Sequence, residues 1–389
     1  MSTTSIQAPL HAASGSREQW STRAVFLVAG LAMAGWAPLV PFAKARVGVE
    51  DGAFGMLLLC LGLGSILAMP LTGMLASRYG CRRIIVIATL ILAATVPLLA
   101  LADTVPTLAL SLALFGASVG TLDVAINIQA VMVEKDSGRS MMSGFHGLFS
   151  VGGIFGAGGV SLLLAMGLSP LGATFIISAM LVILLALSWK GLLPYGNRDE
   201  AGTPAFVVPR GIVLFIGLLC FLVFLGEGAV LDWSAIFLIG AHGMPDTQAG
   251  FGYTLFAVAM AFGRLFGDRL VQAMGGVRIV VVGGVLGALG FALAVFAPTQ
   301  ILALAGFLLV GLGASNIVPV FFTAAGEQKH MPPSLAIAAI TTMGYAGILV
   351  GPAAIGFVGQ YWSLSAGFLL IAAGLAFIAV TAPIAVRRI

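Results

Sequence analysis

The sequence predicts an all-α membrane protein with twelve transmembrane helices in two pseudo-symmetric six-helix bundles. Hydrophobic residues make up 60% of the 389 residues, whereas charged residues make up only 8%. Apolar segments long enough to cross a bilayer recur along the whole chain, and a weak internal repeat relates its two halves. A soluble domain cannot bury so much apolar surface with so few charges outside. This composition therefore excludes a soluble enzyme.

The apolar segments set the predicted helices, because about 20 apolar residues are needed to cross the hydrocarbon core. Their predicted spans are 24–43, 52–76, 84–102, 106–132, 141–165, 170–193, 211–239, 248–274, 278–297, 299–325, 334–358 and 363–386. Residues 1–22 are rich in Ser, Thr and Ala. They are expected to form a disordered cytoplasmic tail and not a cleaved signal peptide.

The longest polar break separates six predicted helices from six. Residues 194–210 contain Gly, Pro, Asn and charges of both signs, which is typical of a linker. We therefore expect an N-terminal bundle over residues 23–193, a cytoplasmic linker over 194–210 and a C-terminal bundle over 211–389.

A sequence match between the two halves supports a duplication. Residues 120–123 are followed by Glu134 eleven positions after Asp123, and residues 313–316 by Glu327 eleven positions after Asn316. The match makes the fourth predicted helix equivalent to the tenth, as a parallel repeat of six helices requires.

The distribution of basic residues predicts the orientation. With a cytoplasmic N-terminus, only Lys44 and Arg46 of the 18 Lys and Arg residues lie on the outer side, and Arg264 is counted on the inner side. This asymmetry follows the positive-inside rule. It predicts that both termini face the cytoplasm of a bacterial inner membrane.

Charge and cysteine patterns exclude two further classes of function. The net charge of +4 is spread thinly, with no basic stretch that could bind nucleic acid. Cys60, Cys81 and Cys220 are isolated, so neither a disulfide framework nor a metal site is expected.

The segment after the second predicted helix, residues 73–83, reads Gly-Met-Leu-Ala-Ser-Arg-Tyr-Gly-Cys-Arg-Arg. It resembles the loop signature of the major facilitator superfamily, with Ser77 where the family usually has Asp. Asp268-Arg269, after the eighth helix, is similar to a second copy at an offset of 191. The resemblance implies a cytoplasmic conformational latch in which the first loop meets the second bundle. Its candidate residues are Gly73, Arg78, Gly80, Arg82, Arg83, Asp268 and Arg269.

Three other stretches, residues 120–127, 142–147 and 226–234, are similar to poorly characterised bacterial permeases near the fucose permeases. That resemblance implies transport of a small polar solute with protons. It implies a monomer in the lipid bilayer, with the proton gradient as energy source and no cofactor.

Two acidic residues are the leading candidates for the transport site. Asp123 and Glu227 lie near the middle of predicted helices, one in each bundle. Ionisable groups at this depth are costly and usually functional. We therefore expect both to face one central cavity, where they bind and release a proton.

Polar neighbours extend this candidate site. Asn127 shares a helix face with Asp123, so the two either bind a hydroxylated ligand or form an interhelical hydrogen bond. His146 is either a proton relay or a hydrogen-bond donor in helix packing. Asp232 points away from Glu227 and either contributes to transport or caps an outer polar network.

Aromatic and amide side chains complete the set. Trp36 either offers a ring face to a sugar or packs in the core. Asn316 and Tyr345 are further cavity candidates.

The leading functional hypothesis is a secondary transporter that imports a sugar or sugar-like metabolite by proton symport with rocker-switch alternating access. The alternatives are a proton-coupled exporter of drugs or metabolites and a non-transporting membrane sensor. Gly351-Pro352 is similar to the Gly-Pro motif of antiporters in this superfamily but lies in the opposite half of the chain. Import is therefore favoured.

Overall fold

The structure is a computed structural model that describes residues 15–49, 51–196, 208–244 and 251–387. The helices are α1 Ser16–Gly35, α2 Val40–Val47, α3 Asp51–Tyr79, α4 Cys81–Leu101, α5 Val105–Ser137, α6 Met142–Ala165, α7 Pro170–Ser188, α8 Gly211–His242, α9 Phe251–Met274, α10 Gly276–Phe296, α11 Gln300–Ala314, α12 Ile317–Glu327, α13 Pro333–Tyr361 and α14 Leu364–Arg387. Within these residues, eleven candidate spans are long and apolar enough to cross a membrane. The predicted all-helical membrane fold is confirmed.

The eighth predicted span is the one absent from those eleven. It corresponds to α9, a helix of 24 residues, which is long enough to cross a bilayer. Arg264, Asp268 and Arg269 lower its mean hydropathy. Two of these charges have specific partners, described below.

The N-terminal boundary differs from the prediction. Helix α1 begins at Ser16, so residues 16–22 are helical and not part of a disordered tail; residues 1–14 of that predicted tail lie outside the described residues. The first predicted span is also divided, because α1 ends at Gly35 and a 3₁₀ turn over Ala37–Leu39 precedes α2. Pro38 and Pro41 lack the N–H that a continuous helix needs.

The tenth predicted span is divided as well. Helix α11 ends at Ala314 and α12 begins at Ile317. Pro319 has no N–H to donate to the carbonyl of Ser315, four residues earlier, and this carbonyl is therefore free for another donor. The duplicated helix α5 runs unbroken through Asp123, so the two halves differ at this point.

The helix pairs nevertheless repeat between the halves. Helix α1 packs on α6, α3 on α5 and α4 on α7, and the corresponding pairs are α8 with α13, α9 with α11 and α10 with α14. Two equivalent pairs, α3 with α13 and α6 with α9, join the halves. The interface therefore has the approximate two-fold symmetry expected of a duplication.

Glycine permits the closest helix contacts. A Cβ atom on Gly152 of α6 would lie 2.3 Å from the carbonyl oxygen of Leu27 in α1, and one on Gly30 would lie 2.0 Å from that of Phe149. Only a residue without a side chain allows the two backbones to approach this closely.

Six arginines lie near the junctions of α3 with α4, of α5 with α6 and of α9 with α10. We call this side, with residues 78–83, 135–139 and 269–278, the basic face. The start of the predicted linker is packed there, because Arg82 N donates to Leu193 O (2.8 Å) and Cys81 N to Tyr195 O (3.3 Å). Residues 197–207 of the linker lie outside the described residues.

Candidate substrate and proton site

Three of the predicted residues form one hydrogen-bonded chain in the first half. The Nδ2 atom of Asn127 donates to the backbone oxygen of Asp123 (2.9 Å) and approaches its Oδ1 atom (3.4 Å). The Nε2 atom of His146 lies 3.1 Å from Asn127 Oδ1. Since that oxygen can only accept, the imidazole donates through Nε2. The chain joins α5 to α6 through buried groups.

His146 also reaches the second half. Its ring lies between those of Phe26 in α1 and Phe322 in α12, with centroid distances of 5.3 and 5.5 Å. Tyr345 of α13 lies within electrostatic range of Asp123 and packs on Phe224. Side chains of both halves therefore surround the Asp123–Asn127–His146 chain.

Glu227 forms an ion pair with Arg264, which is not among the predicted site residues. An Nη2 atom of Arg264 lies 3.5 Å from Oε1 of Glu227, and the side chains are 8% and 19% exposed respectively. The Nε atom of Arg264 donates to the free carbonyl of Ser315 (3.2 Å). Its Nη1 atom donates to the hydroxyl of Ser150 in α6 (3.3 Å). Arg264 thus holds Glu227 and connects the two halves.

The location of Arg264 corrects the charge count used for orientation. Arg264 was assigned to the inner side, but it lies near the middle of α9 and is buried. At 1.5 Å per residue, it is about 15 Å from the helix end on the basic face. An arginine inside a predicted membrane span is itself an indication of function. The sequence alone therefore contains the signal that marks Arg264 as a site residue.

Asn316 lies beside this ion pair. Its Nδ2 atom donates to the carbonyl of Gly263 (3.0 Å) and to the hydroxyl of Ser315 (2.9 Å). Its Oδ1 atom is buried and has no hydrogen-bond partner within the part of the chain that the structure describes.

Two predicted residues lie away from these chains. Asp232 is exposed, and Trp36 is buried in the apolar core of the first half. Neither is brought into contact with Asp123 or Glu227.

Two carboxylates join the halves at the basic face. Both oxygens of Asp268 accept from the backbone N of Gly144, at the start of α6, at 3.0 Å. Glu134 accepts from the backbone N atoms of Met141 and Met142 and from the hydroxyl of Thr323 in α12. We call these contacts the basic-face latch. Glu134 and Thr323 were not among the predicted latch residues.

The first copy of the loop signature approaches the second half at Gly73. A Cβ atom there would lie 2.8 Å from the carbonyl oxygen of Ser334 in α13. Ser77, at the position equivalent to Asp268, donates its hydroxyl to Met74 O in its own helix.

Arg82, a predicted latch residue, has its hydrogen-bond partners within the first half. Its guanidinium donates to the carbonyls of Leu192 and Lys190, which belong to the first half. Arg78 lies over the ring of Tyr79, Gly80 has a φ of 86°, and Arg83 and Arg269 are exposed. The hydrogen bonds across the halves at the basic face include those of the carboxylates of Asp268 and Glu134.

A cavity of about 350 Å³ opens beside the latch. Its polar lining includes Glu134, Ser140, Ser143, Asp268, Gln272, Thr323 and Glu327. The Arg264 and His146 chains lie farther from the basic face, along α9 and α6.

Comparisons with known proteins identify the family. The chain is 54% identical over 368 residues to an uncharacterized MFS-type transporter of Yersinia pestis, covering 95% of this chain and 96% of that protein. It is 33% identical over 373 residues to an uncharacterized transporter of Sinorhizobium fredii, with coverages of 92% and 96%. The fold is similar to that of the E. coli fucose:proton symporter, with a TM-score of 0.82, 16% identity and coverages of 94% and 98%.

The sequence profile of the Major Facilitator Superfamily matches residues 23–331. The resemblance noted in the loop after the second helix is thereby confirmed. The chain belongs to the Major Facilitator Superfamily and is a multi-pass secondary transporter, not an enzyme.

Proposed function

We propose that this transporter imports a small polar solute, a sugar or sugar-like metabolite, by proton symport across the bacterial inner membrane. The observation that carries the proposal is a pair of buried polar chains, one within the first half and the other across the two halves. One contains Asp123, and the other contains Glu227 and Arg264. Acidic groups at membrane depth can bind a proton from one side and release it to the other.

Alternating access follows from the latch. Asp268 and Glu134 hold the halves together at the basic face, which we assign to the cytoplasm. In the outward-facing state that we propose, these contacts hold the basic face while the polar chains load from the periplasm. Breaking the latch contacts and closing the other side would release solute and proton inward, a rocker-switch movement of two rigid halves.

The similarity to the fucose:proton symporter supports this coupling at the level of fold alone. The hydroxyl-binding groups that favour a sugar-like solute are those of Asn127, Asn316 and Tyr345. All three are amides or a phenol that can donate or accept hydrogen bonds.

The test is uptake by purified protein in liposomes with an imposed inward proton gradient. A panel of sugars and sugar acids is expected to contain a solute that accumulates with the gradient and not without it. Collapse of the gradient with a protonophore should end accumulation while leaving solute exchange.

The sign of the coupling separates import from export. In a symporter, binding of the solute raises proton affinity, so proton uptake accompanies solute binding. Release of protons on solute addition would contradict symport and favour the exporter, in which proton and solute compete for one carboxylate.

A further inference from the structure

We infer that Arg264 binds a carboxylate of the transported solute when Glu227 takes up a proton. The solute class is therefore a small organic acid such as a sugar acid. The inference rests on the proposed proton coupling and adds the chemical class of the solute.

The geometry of the ion pair is the first support. A guanidinium binds a carboxylate best through two parallel hydrogen bonds, but Arg264 meets Glu227 through one long contact of 3.5 Å. The acid is thus a weak partner that a better-placed carboxylate can replace.

The surroundings of Arg264 are the second support. Its Nε and Nη1 atoms are directed by the Ser315 carbonyl and the Ser150 hydroxyl. The Ser315 carbonyl can accept from Arg264 because Pro319 has no N–H to donate to it. The guanidinium is therefore held in one orientation between the two halves, as a binding group needs to be.

The titratable groups that face the pair are compatible with exchange of one anion for another. Tyr253 of α9 interacts with both members of the pair and with Asp232 of α8, Cys220 of α8 interacts with Glu227, and His146 of α6 interacts with Arg264. A buried arginine left without an anion is costly. When Glu227 is neutral, a solute carboxylate supplies that anion.

The charges balance in this exchange. The ionised pair, one proton and one monoanion become a neutral Glu227 and an Arg264–carboxylate pair. No net charge is added to the buried site, and Glu227, the more exposed partner, accepts the proton. Proton and solute are thus required together, which is the condition for symport.

Matched pairs of compounds test the inference with purified protein. Glucuronate and glucose share a ring and differ in one carboxylate, and gluconate and glucitol form an open-chain pair. Thermal stabilisation and calorimetric binding would be measured at about pH 5.5 and about pH 8, with proton uptake obtained from buffers of different ionisation enthalpy. We expect an acid to bind where its neutral counterpart does not, and to bind about tenfold more weakly for each pH unit above the titration of Glu227.

Three variants test whether acid binding depends on Glu227 and Arg264. Glu227→Gln mimics the protonated acid, so it should bind the acid equally at both pH values and without proton uptake. Glu227→Gln/Arg264→Gln leaves no unpaired buried charge and should bind about tenfold to a hundredfold more weakly than Glu227→Gln. Arg278→Gln, on the exposed start of α10, is the control and should bind as the unaltered protein does.

Equal binding of acid and neutral compounds would overturn the inference, as would acid binding by the double variant at the strength of Glu227→Gln. A panel in which no carboxylate binds at the acidic pH would overturn it too. The two proposals fail differently. Proton-driven accumulation of a neutral sugar alone would contradict the anion site and support symport. Arg264-dependent acid binding without proton uptake would support the anion site and contradict symport.

Discussion

The side chains of Asp123 and Glu227 occupy different environments although both lie inside helices. Asp123 is bound by a neutral amide, Asn127, which is itself bound to His146. Glu227 is paired with a cation, Arg264. A neutral partner leaves Asp123 able to change protonation without leaving an opposite charge unpaired. Asp123 is therefore the residue where loss of the titrating group is expected to have the clearest effect.

We predict that Asp123→Asn abolishes accumulation driven by a pH gradient while solute exchange continues. The amide retains hydrogen bonding to Asn127 but cannot bind and release a proton. Uptake and counterflow in liposomes would measure the two activities separately. Asp103→Asn, in an exposed loop, is the control. Concentrative uptake by Asp123→Asn at the level of the unaltered protein would remove Asp123 from the proton path.

The buried Asn127 is predicted to matter for stability as well. Asn127→Ala leaves His146 Nε2 without its acceptor, at a cost of about 1–3 kcal/mol for an unsatisfied buried group. Thermal unfolding in detergent would show a lower midpoint than that of Asn127→Ala/His146→Phe, in which the donor is removed as well. Equal midpoints for the two variants would contradict this assignment.

At the scale of helices, the contact between α1 and α6 depends on the absence of side chains. We predict that Gly152→Ala lowers the thermal midpoint, because a methyl group there would overlap the carbonyl of Leu27. Gly158→Ala in the same helix is the control, since within the described residues no atom beyond its own stretch of helix lies within 4 Å of the added carbon. Alanine also favours the helix over glycine by about 1 kcal/mol, so the control should be neutral or slightly stabilised. A similar loss of stability in both variants would point to a general intolerance of α6.

The basic-face latch depends on the start of helix α6. The start of α6 presents backbone N–H groups and a positive dipole end, both of which favour a carboxylate. Gly144 leaves room for Asp268, because a Cβ atom there would lie 2.3 Å from one of its oxygens. At the equivalent position, Ser77 bonds within its own helix. The latch is consequently asymmetric.

For the whole molecule, we predict that Asp268→Ala shifts the population towards the state open at the basic face. Loss of a charge-assisted contact of about 1–2 kcal/mol corresponds to about a five- to thirtyfold change in the equilibrium. The rate of maleimide labelling at Ala324→Cys, in the basic-face cavity, would measure this in a variant without other cysteines.

Ser77 provides a matched pair of controls for the latch. Ser77→Ala should leave the labelling rate unchanged, since its hydroxyl makes no bond to the second half. Ser77→Asp should slow labelling, because it places a second carboxylate near the start of α13. Slower labelling in Asp268→Ala would contradict the proposed role of the latch.

The orientation of the whole chain remains a prediction. The excess of Lys and Arg on the inner side persists when Arg264 is left out of the count, because only Lys44 and Arg46 are assigned to the outer side. We expect reporter fusions after α14 to be active only as cytoplasmic reporters, and a cysteine at Lys44 to react with impermeant reagents in intact cells. The reverse pattern would place the basic face outside.

The sequence by itself determined the helical membrane fold, the positions of most helices and the family, because the requirement for apolar length is local and strong. It also identified Asp123 and Glu227, since acids inside apolar segments stand out without knowledge of packing. Tertiary structure decided their partners. Arg264 contacts Glu227 in α8, Ser150 in α6 and Ser315 in the break between α11 and α12. Glu134 contacts Thr323 of the other half. All of these contacts join residues that are far apart in the chain. Such contacts depend on how helices pack and where they break, as at Pro319, and hydropathy describes neither.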